Sequence, residues 1–129
     1  MSKVILGSRL LLGIIFLVFG ANGFAMFTIG KGFIPMPPPS PEMAQAMGGF
    51  MAIKYLMPSV KFLQMLCGIL LLSNKLVPLA LVILAPIVYN ILAVHLFIDL
   101  AGLPMALFIT ALLAVQFYAH RETLLVLVR

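Results

Sequence analysis

Hydrophobic residues run through this chain in long stretches, separated by a few short polar or turn-forming interruptions. From Val4 to Phe27 the one charge is Arg9, and at about 1.5 Å of rise per residue the segment is long enough to cross the hydrocarbon core of a bilayer. A secretory signal peptide is the competing reading, with Lys3 and Arg9 as its basic start, Leu10 to Phe19 as its apolar region and the small residues around Ala21 to Gly23 for cleavage. The first span is taken as residues 4–27.

Residues 28–41 then read Thr-Ile-Gly-Lys-Gly-Phe-Ile-Pro-Met-Pro-Pro-Pro-Ser-Pro. This run is poor in amide donors and favours extended polyproline backbone, so it is an extramembranous loop. Ser40-Pro41-Glu42 has the form of an N-cap, a first-turn proline and an acid favourable to the helix dipole, and predicts a helix start. From there to Ser73 is too long for one straight span, whereas Pro58 to Leu72 alone covers only about 22 Å. The pattern predicts an interfacial or re-entrant piece over Glu42 to Leu56, weakened by Gly48-Gly49, and a second span over residues 55–73 that starts around Pro58.

Asn74-Lys75 is the single polar interruption before a third span over residues 76–97, so these two spans form a tight antiparallel hairpin. Pro86 is a candidate kink. After the turn-forming Asp99-Leu-Ala-Gly-Leu-Pro104, a fourth span covers residues 104–120, and Thr123 to Arg129 can prolong its helix. The fold class is therefore all-α: a polytopic membrane protein, a single four-helix transmembrane bundle with an interfacial helix before the second span. Four spans gather Lys3, Arg9, Lys75, Arg121 and Arg129 on one side against Lys31 and Lys54 on the other, which places both termini in the cytoplasm and the proline loop and Asp99 outside.

Composition supports that class. Of 129 residues, 64% are hydrophobic and 9% charged, where soluble domains devote about a quarter to charged residues. A water-facing surface cannot be assembled from three acids and eight bases. The formal charge of +5 does not point to nucleic acid, because the basic residues are dispersed rather than clustered. One cysteine, Cys67, lies in an apolar run, which excludes an internal disulfide and the usual thiolate metal spacings.

Polar side chains inside a bilayer are costly, and those within the spans are Arg9, Asn22, Lys61, Gln64, Asn90, His95 and Gln116. Arg9, Gly13, Phe16, Gly20 and Gly23 share one helical stripe, where the glycines allow another helix to approach closely. Lys54, Lys61, Gln64 and Gly68 fall along one face of the second span. Lys61 can snorkel to the outer headgroups or turn inward, where it would want an acid or an anionic ligand. His95 and Asp99 stand at the i, i+4 spacing at which a carboxylate orients an imidazole, and this pair is the best chemical candidate. Asn90, a further candidate, lies about 140° around the helix from His95. No second histidine accompanies His95 at ligand spacing, and there is no phosphate loop, nucleophile elbow or paired-carboxylate site, so a metal or haem held by this chain alone is not expected.

Four stretches carry a resemblance to a family: Ser8-Arg-Leu-Leu-Leu-Gly-Ile-Ile-Phe-Leu-Val-Phe-Gly20, Tyr55-Leu-Met-Pro-Ser-Val-Lys61, Leu70-Leu-Leu-Ser-Asn-Lys-Leu-Val-Pro-Leu-Ala80 and Leu84-Ala-Pro-Ile-Val-Tyr-Asn-Ile-Leu-Ala-Val-His-Leu-Phe-Ile-Asp99. Together they resemble the DoxX and DoxX-like membrane proteins. The resemblance implies a compact four-helix protein of the prokaryotic cytoplasmic membrane, some of whose relatives are small subunits of quinol oxidase or thiosulfate:quinone oxidoreductase complexes. Gln64 stands where that family usually has a glutamate, and Cys67 where it has a small glycine, which weakens proton transfer on the second span.

The expectation is a small subunit or accessory of a quinone-linked membrane redox complex. A pocket near the outer leaflet, built from Lys61, Gln64, His95 and Asp99 with Asn90 nearby, would receive a quinone or similar lipid-soluble molecule. The alternatives are a non-catalytic assembly subunit packed against other membrane subunits or its own copies, and a small lipid-binding or transport protein.

Overall fold

The computed structural model describes residues 2–129, and apart from the extended segment 29–40 and short turns they are helical, with no strand among them. The helices are α1 (Ser2–Thr28), α2 (Pro41–Ala52), α3 (Leu56–Ser73), α4 (Val77–Phe97), α5 (Leu103–Ala119) and the short α6 (Arg121–Leu125). A 3-10 turn at Leu100–Gly102 leads into α5, and a second at Val126–Val128 follows α6. Four stretches are long and apolar enough to cross a membrane: Lys3–Thr28, Leu56–Ser73, Val77–Phe97 and Leu100–Ala119. The chain is an all-α, four-helix membrane bundle.

Each span buries one stripe and leaves the rest apolar. Leu12 and Phe16 of α1, Cys67 and Leu71 of α3, Leu81, Leu84 and Val88 of α4, and Ile109 and Leu113 of α5 form one continuous core. The opposite faces expose Ile14, Val18, Leu66, Ile69, Leu79, Leu107 and Phe108. In water that pattern would be a liability, and in lipid it is the expected outer surface. The spans neighbour one another in the cyclic order α1, α3, α4, α5, with the most extensive contact between α1 and α3.

Glycine makes that seam close. A methyl group at Gly68 would lie 2.6 Å from the Leu17 amide nitrogen and 2.8 Å from the Gly13 carbonyl oxygen, and one at Gly13 would lie 2.9 Å from the Leu72 side chain. One at Gly20 would meet the Met65 amide nitrogen at 3.0 Å. The two backbones therefore pack nearly directly on each other, which is how membrane helices gain dispersion energy without a hydrophobic driving force between them. Arg9, on the same stripe, donates through its guanidinium to the carbonyl of Leu71 in the last turn of α3, which otherwise accepts only a long bond of 3.4 Å from the Asn74 amide. An arginine that the sequence marks as expensive is thus spent on closing a neighbouring helix end.

The segment before the second span is a separate helix. Ser40 caps α2, its hydroxyl accepting from the Met43 amide at 3.2 Å, with Pro41 in the first turn. At 12 residues α2 is about 18 Å long, too short to span. It ends before the turn Ile53-Lys54-Tyr55, and α3 begins at Leu56, so Pro58 falls in the first turn of α3 instead of marking the break. Lys54 is exposed in that turn, and the expected single face of Lys54, Lys61 and Gly68 is therefore shortened to the helical residues. The α3–α4 reversal is compressed into three residues, with Asn74 at φ 57° and Leu76 at φ 52°. The left-handed conformation is natural for the first and costly for the second. The tail is not a simple extension of the fourth span, because the helix ends at Ala119 and restarts at Arg121 around His120.

The seam yields a direct prediction. Gly68→Ala must force α1 and α3 apart and costs about 2 kcal/mol, in the usual range for overpacking. Gly7, whose added methyl would meet nothing within 4 Å, tolerates alanine or gains up to about 1 kcal/mol from helix propensity. Thermal unfolding of both variants in detergent separates these outcomes; equal melting temperatures would mean that the close approach does not hold the bundle.

Candidate functional site

With four spans, both chain ends lie at one end of the bundle and the proline loop at the other, here called the loop end. Two polar pairs sit there. The first is on α3, whose buried face is Gln64, Cys67, Gly68 and Leu71. Gln64 is thus a polar member of a core stripe. Lys61, one turn nearer the start of α3, lays its aliphatic stem over Gly23 of α1, so closely that a methyl there would come within 2.6 Å of both Cδ and Cε. Its Nζ donates to Gln64 Oε1 at 3.3 Å.

The direction of this side chain matters. Because α3 begins at Leu56, Lys61 lies about 7 Å below the loop end of the span and Gln64 about 12 Å. A snorkelling lysine would send its ammonium back toward the start of the helix, along the direction helical side chains prefer. The Lys61 stem lies across the α1–α3 seam at Gly23, and its ammonium is hydrogen-bonded to Gln64 within the bundle.

The loop over this pair is held from α1. Asn22, 3% exposed, accepts through Oδ1 from the backbone amides of Phe33 at 2.8 Å and Ile34 at 2.9 Å. Gly32 packs so tightly on the same oxygen that a side chain would collide with it. One buried carboxamide therefore anchors the start of the proline segment above the α1–α3 seam. The sequence flags Asn22 as an intramembrane polar residue, but nothing in the helical spacing announces partners 11 and 12 positions away in a loop.

The second pair closes α4. Val77, Leu81, Leu84 and Val88 form its buried stripe, which continues through Ile91 at i+3 and His95 at i+7 from Val88, so the imidazole is the loop-end member of an apolar face. Its Nδ1 lies 3.1 Å from the backbone carbonyl oxygen of Asp99 and 3.8 Å from the Asp99 carboxylate. A carbonyl can only accept, so Nδ1–H donates to it. The expected carboxylate contact is present as the longer of the two, and the backbone supplies the shorter. The ring also rests against Gly102, where a methyl would fall 2.2 Å from Cε1, so His95 fixes the turn that joins α4 to α5.

Asn90 is elsewhere. It is exposed on the outer face of α4, and its Nδ2 donates to the Pro86 carbonyl at 2.8 Å. It serves the backbone of its own helix, as its angular offset from His95 foretells. Among the described residues no hydrogen bond or ion pair joins Lys61–Gln64 to His95–Asp99; one pair belongs to the α1–α3 seam, the other to the α4–α5 junction. An open groove of about 380 Å³ lies between the end of α1 and the start of α3, lined by Phe24, Pro58, Ser59, Phe62 and Leu63. None of the five candidate residues lines it.

At the opposite end, Gln116 is fully buried and ties α5 to α1, its Nε2 donating to the Ile5 carbonyl at 2.8 Å and the Ser8 hydroxyl at 2.7 Å. Its Oε1 has no partner. Here too a helix-to-helix link more than 100 residues apart in sequence was invisible in the spacing. No group of three His, Cys, Asp or Glu side chains among the described residues is arranged to hold a metal ion. Comparison with protein families, curated proteins and solved structures finds no match.

The Asn22 anchor gives a local prediction. Asn22→Leu removes both hydrogen bonds to the loop, so amide exchange at Phe33 and Ile34 accelerates at least about tenfold, the effect of losing one hydrogen bond's worth of protection. Exchange in α4 and α5 stays unchanged. Unaltered exchange at Phe33 would show that the loop is held by something other than this carboxamide.

Proposed function

We propose that this chain is a DoxX-like accessory or small subunit of a quinone-linked membrane redox complex, and that the loop end of its bundle receives the polar head of a lipid-soluble ligand. One observation carries the reading: the buried stripe of α3 turns polar from mid-span toward this end, at Gln64 and Lys61, and that of α4 turns polar at its loop end, at His95. Polar side chains at such depth are expensive and are characteristic of ligand and ion pathways. The donors of Lys61 suit a quinone carbonyl, and the Nε2 of His95 can hydrogen-bond a quinol hydroxyl. Asp99 orients the imidazole through its backbone carbonyl. Asn90 has no part in the site.

The charge distribution supports an orientation. Lys3, Arg9, Lys75, Arg121 and Arg129 gather at the terminal end, against Lys31 and Lys54 at the loop end, which by the positive-inside rule puts the termini in the cytoplasm of a prokaryotic cell and the ligand end outside. The minimal extramembranous mass suits a chain that works against larger membrane subunits.

Quinone extraction from the purified protein, followed by fluorescence titration with ubiquinone- and menaquinone-type ligands, tests the reading. Wild type binds, His95→Ala binds about tenfold more weakly through loss of one hydrogen bond, and Asn90→Ala binds as wild type does. A wild-type protein that neither retains nor titrates quinone would overturn the reading, and equal affinity in wild type and His95→Ala would remove His95 from the site.

A further inference from the structure

The Lys61 ammonium is held by Gln64 at the α1–α3 seam, with no countercharge beside it among the described residues. The chain has three acids, Glu42, Asp99 and Glu122, and among the described residues the one ion pair is His95–Asp99. Lys61 has three N–H donors, and its one described acceptor is Gln64 Oε1. That contact also fixes the orientation of the Gln64 amide, because an ammonium can approach only the oxygen. The Gln64 nitrogen donates to no described group. Two neighbouring side chains thus present spare donors at one place.

Space is provided on the α1 side by glycine. Lys61 crosses Gly23, and Gln64 lies over Gly20, where a methyl would come 3.1 Å from its Cβ. Alanine at either position would displace the lysine stem or the glutamine. Lys61 itself is half-buried, so the ammonium is not sealed off from the surroundings of the seam. An unpaired charge at this depth is costly, and an anionic oxygen that can accept two hydrogen bonds offsets that cost.

We propose that Lys61 and Gln64, cradled by Gly20 and Gly23, form a receptor for the anionic oxygen of an amphiphile, a carboxylate or phosphate group attached to a hydrocarbon chain. The proposal rests on the reading of the loop end as a ligand site and differs from it in the chemistry assigned to Lys61 and Gln64, because a neutral quinone leaves the lysine charge uncompensated while an acid does not. Lys61 Nζ donates to one oxygen of the anion and Gln64 Nε2 to the other, while the hydrocarbon tail stays in the lipid or along the apolar faces beside the seam. Charge-assisted hydrogen bonds are about twice as strong as neutral ones, so the site discriminates by headgroup charge more than by chain.

The test measures headgroup preference. Purified protein in non-ionic detergent is titrated by native mass spectrometry with hexadecanoic acid against hexadecanol, and with phosphatidic acid against diacylglycerol of the same chains. Wild type prefers at least one acid over its uncharged analogue by about tenfold or more. A preference confined to hexadecanoic acid identifies a free acid as the ligand, and one confined to phosphatidic acid identifies a lipid headgroup. Lys61→Arg keeps the preference and Lys61→Met abolishes it, with thermal unfolding confirming that both variants remain folded; if Lys61→Met unfolds, Gln64→Leu replaces it and halves the preference or more. Equal binding of acids and uncharged analogues by wild type, or an undiminished preference in a folded Lys61→Met, overturns the proposal. Quinone titration of the same samples separates this outcome from the broader reading: quinone binding without acid preference leaves that reading standing alone.

Discussion

The close approach of α1 to α3 is the contact on which the loop end depends. Gly13 and Gly68 meet backbone to backbone, and Gly20 and Gly23 continue the same stripe toward the proline loop. In lipid no hydrophobic driving force pulls two helices together, so dispersion between closely fitted surfaces has to hold them. The same lack of side chains that lets the helices touch leaves the trough in which the Lys61 stem lies. Were α1 bulkier at Gly23, the lysine would have to leave the seam, and the route open to it would be outward to the headgroups.

A second constraint, the absence of water in the bilayer, accounts for most of the other polar residues. Arg9 closes a helix end, Asn22 holds a loop, Asn90 binds its own helix backbone, Gln116 bridges α5 to α1 and His95 fixes the turn before α5. Each makes at least one hydrogen bond to a backbone group, as a low-dielectric medium favours, although Gln116 also donates to the Ser8 hydroxyl and leaves its Oε1 without a partner. Lys61 departs from this pattern. It is a cation in the seam with no acid beside it among the described residues, which is why chemistry is best sought around it.

The number of spans, the separate piece before the second span, the Ser40 cap and the glycine stripe were all legible in sequence, because length, apolarity and local capping are properties of contiguous residues. The His95–Asp99 neighbourhood was legible for the same reason, being one helical turn, although the backbone carbonyl took the role expected of the carboxylate. What spacing could not supply was every partnership across the bundle: Arg9 with Leu71, Gln116 with Ile5 and Ser8, and Asn22 with Phe33 and Ile34. Nor could it supply the packing of the Lys61 stem on Gly23, which lies on another helix.

The orientation of Lys61 can be measured without knowing any ligand. In protein reconstituted into lipid vesicles and treated with a water-soluble, membrane-impermeant amine-acylating reagent, Lys31 and Lys54 are exposed outside the spans and acylate readily on the accessible face. A Lys61 held in the seam is protected, acylating at least about a hundredfold more slowly by peptide mass mapping, as expected of an amine withdrawn from water into a packed seam. A Gly23→Leu variant, which fills the trough, exposes it. Acylation of wild-type Lys61 at the rate of Lys54 would contradict the account, because the lysine would then be at the headgroups and the loop end would hold no buried charge.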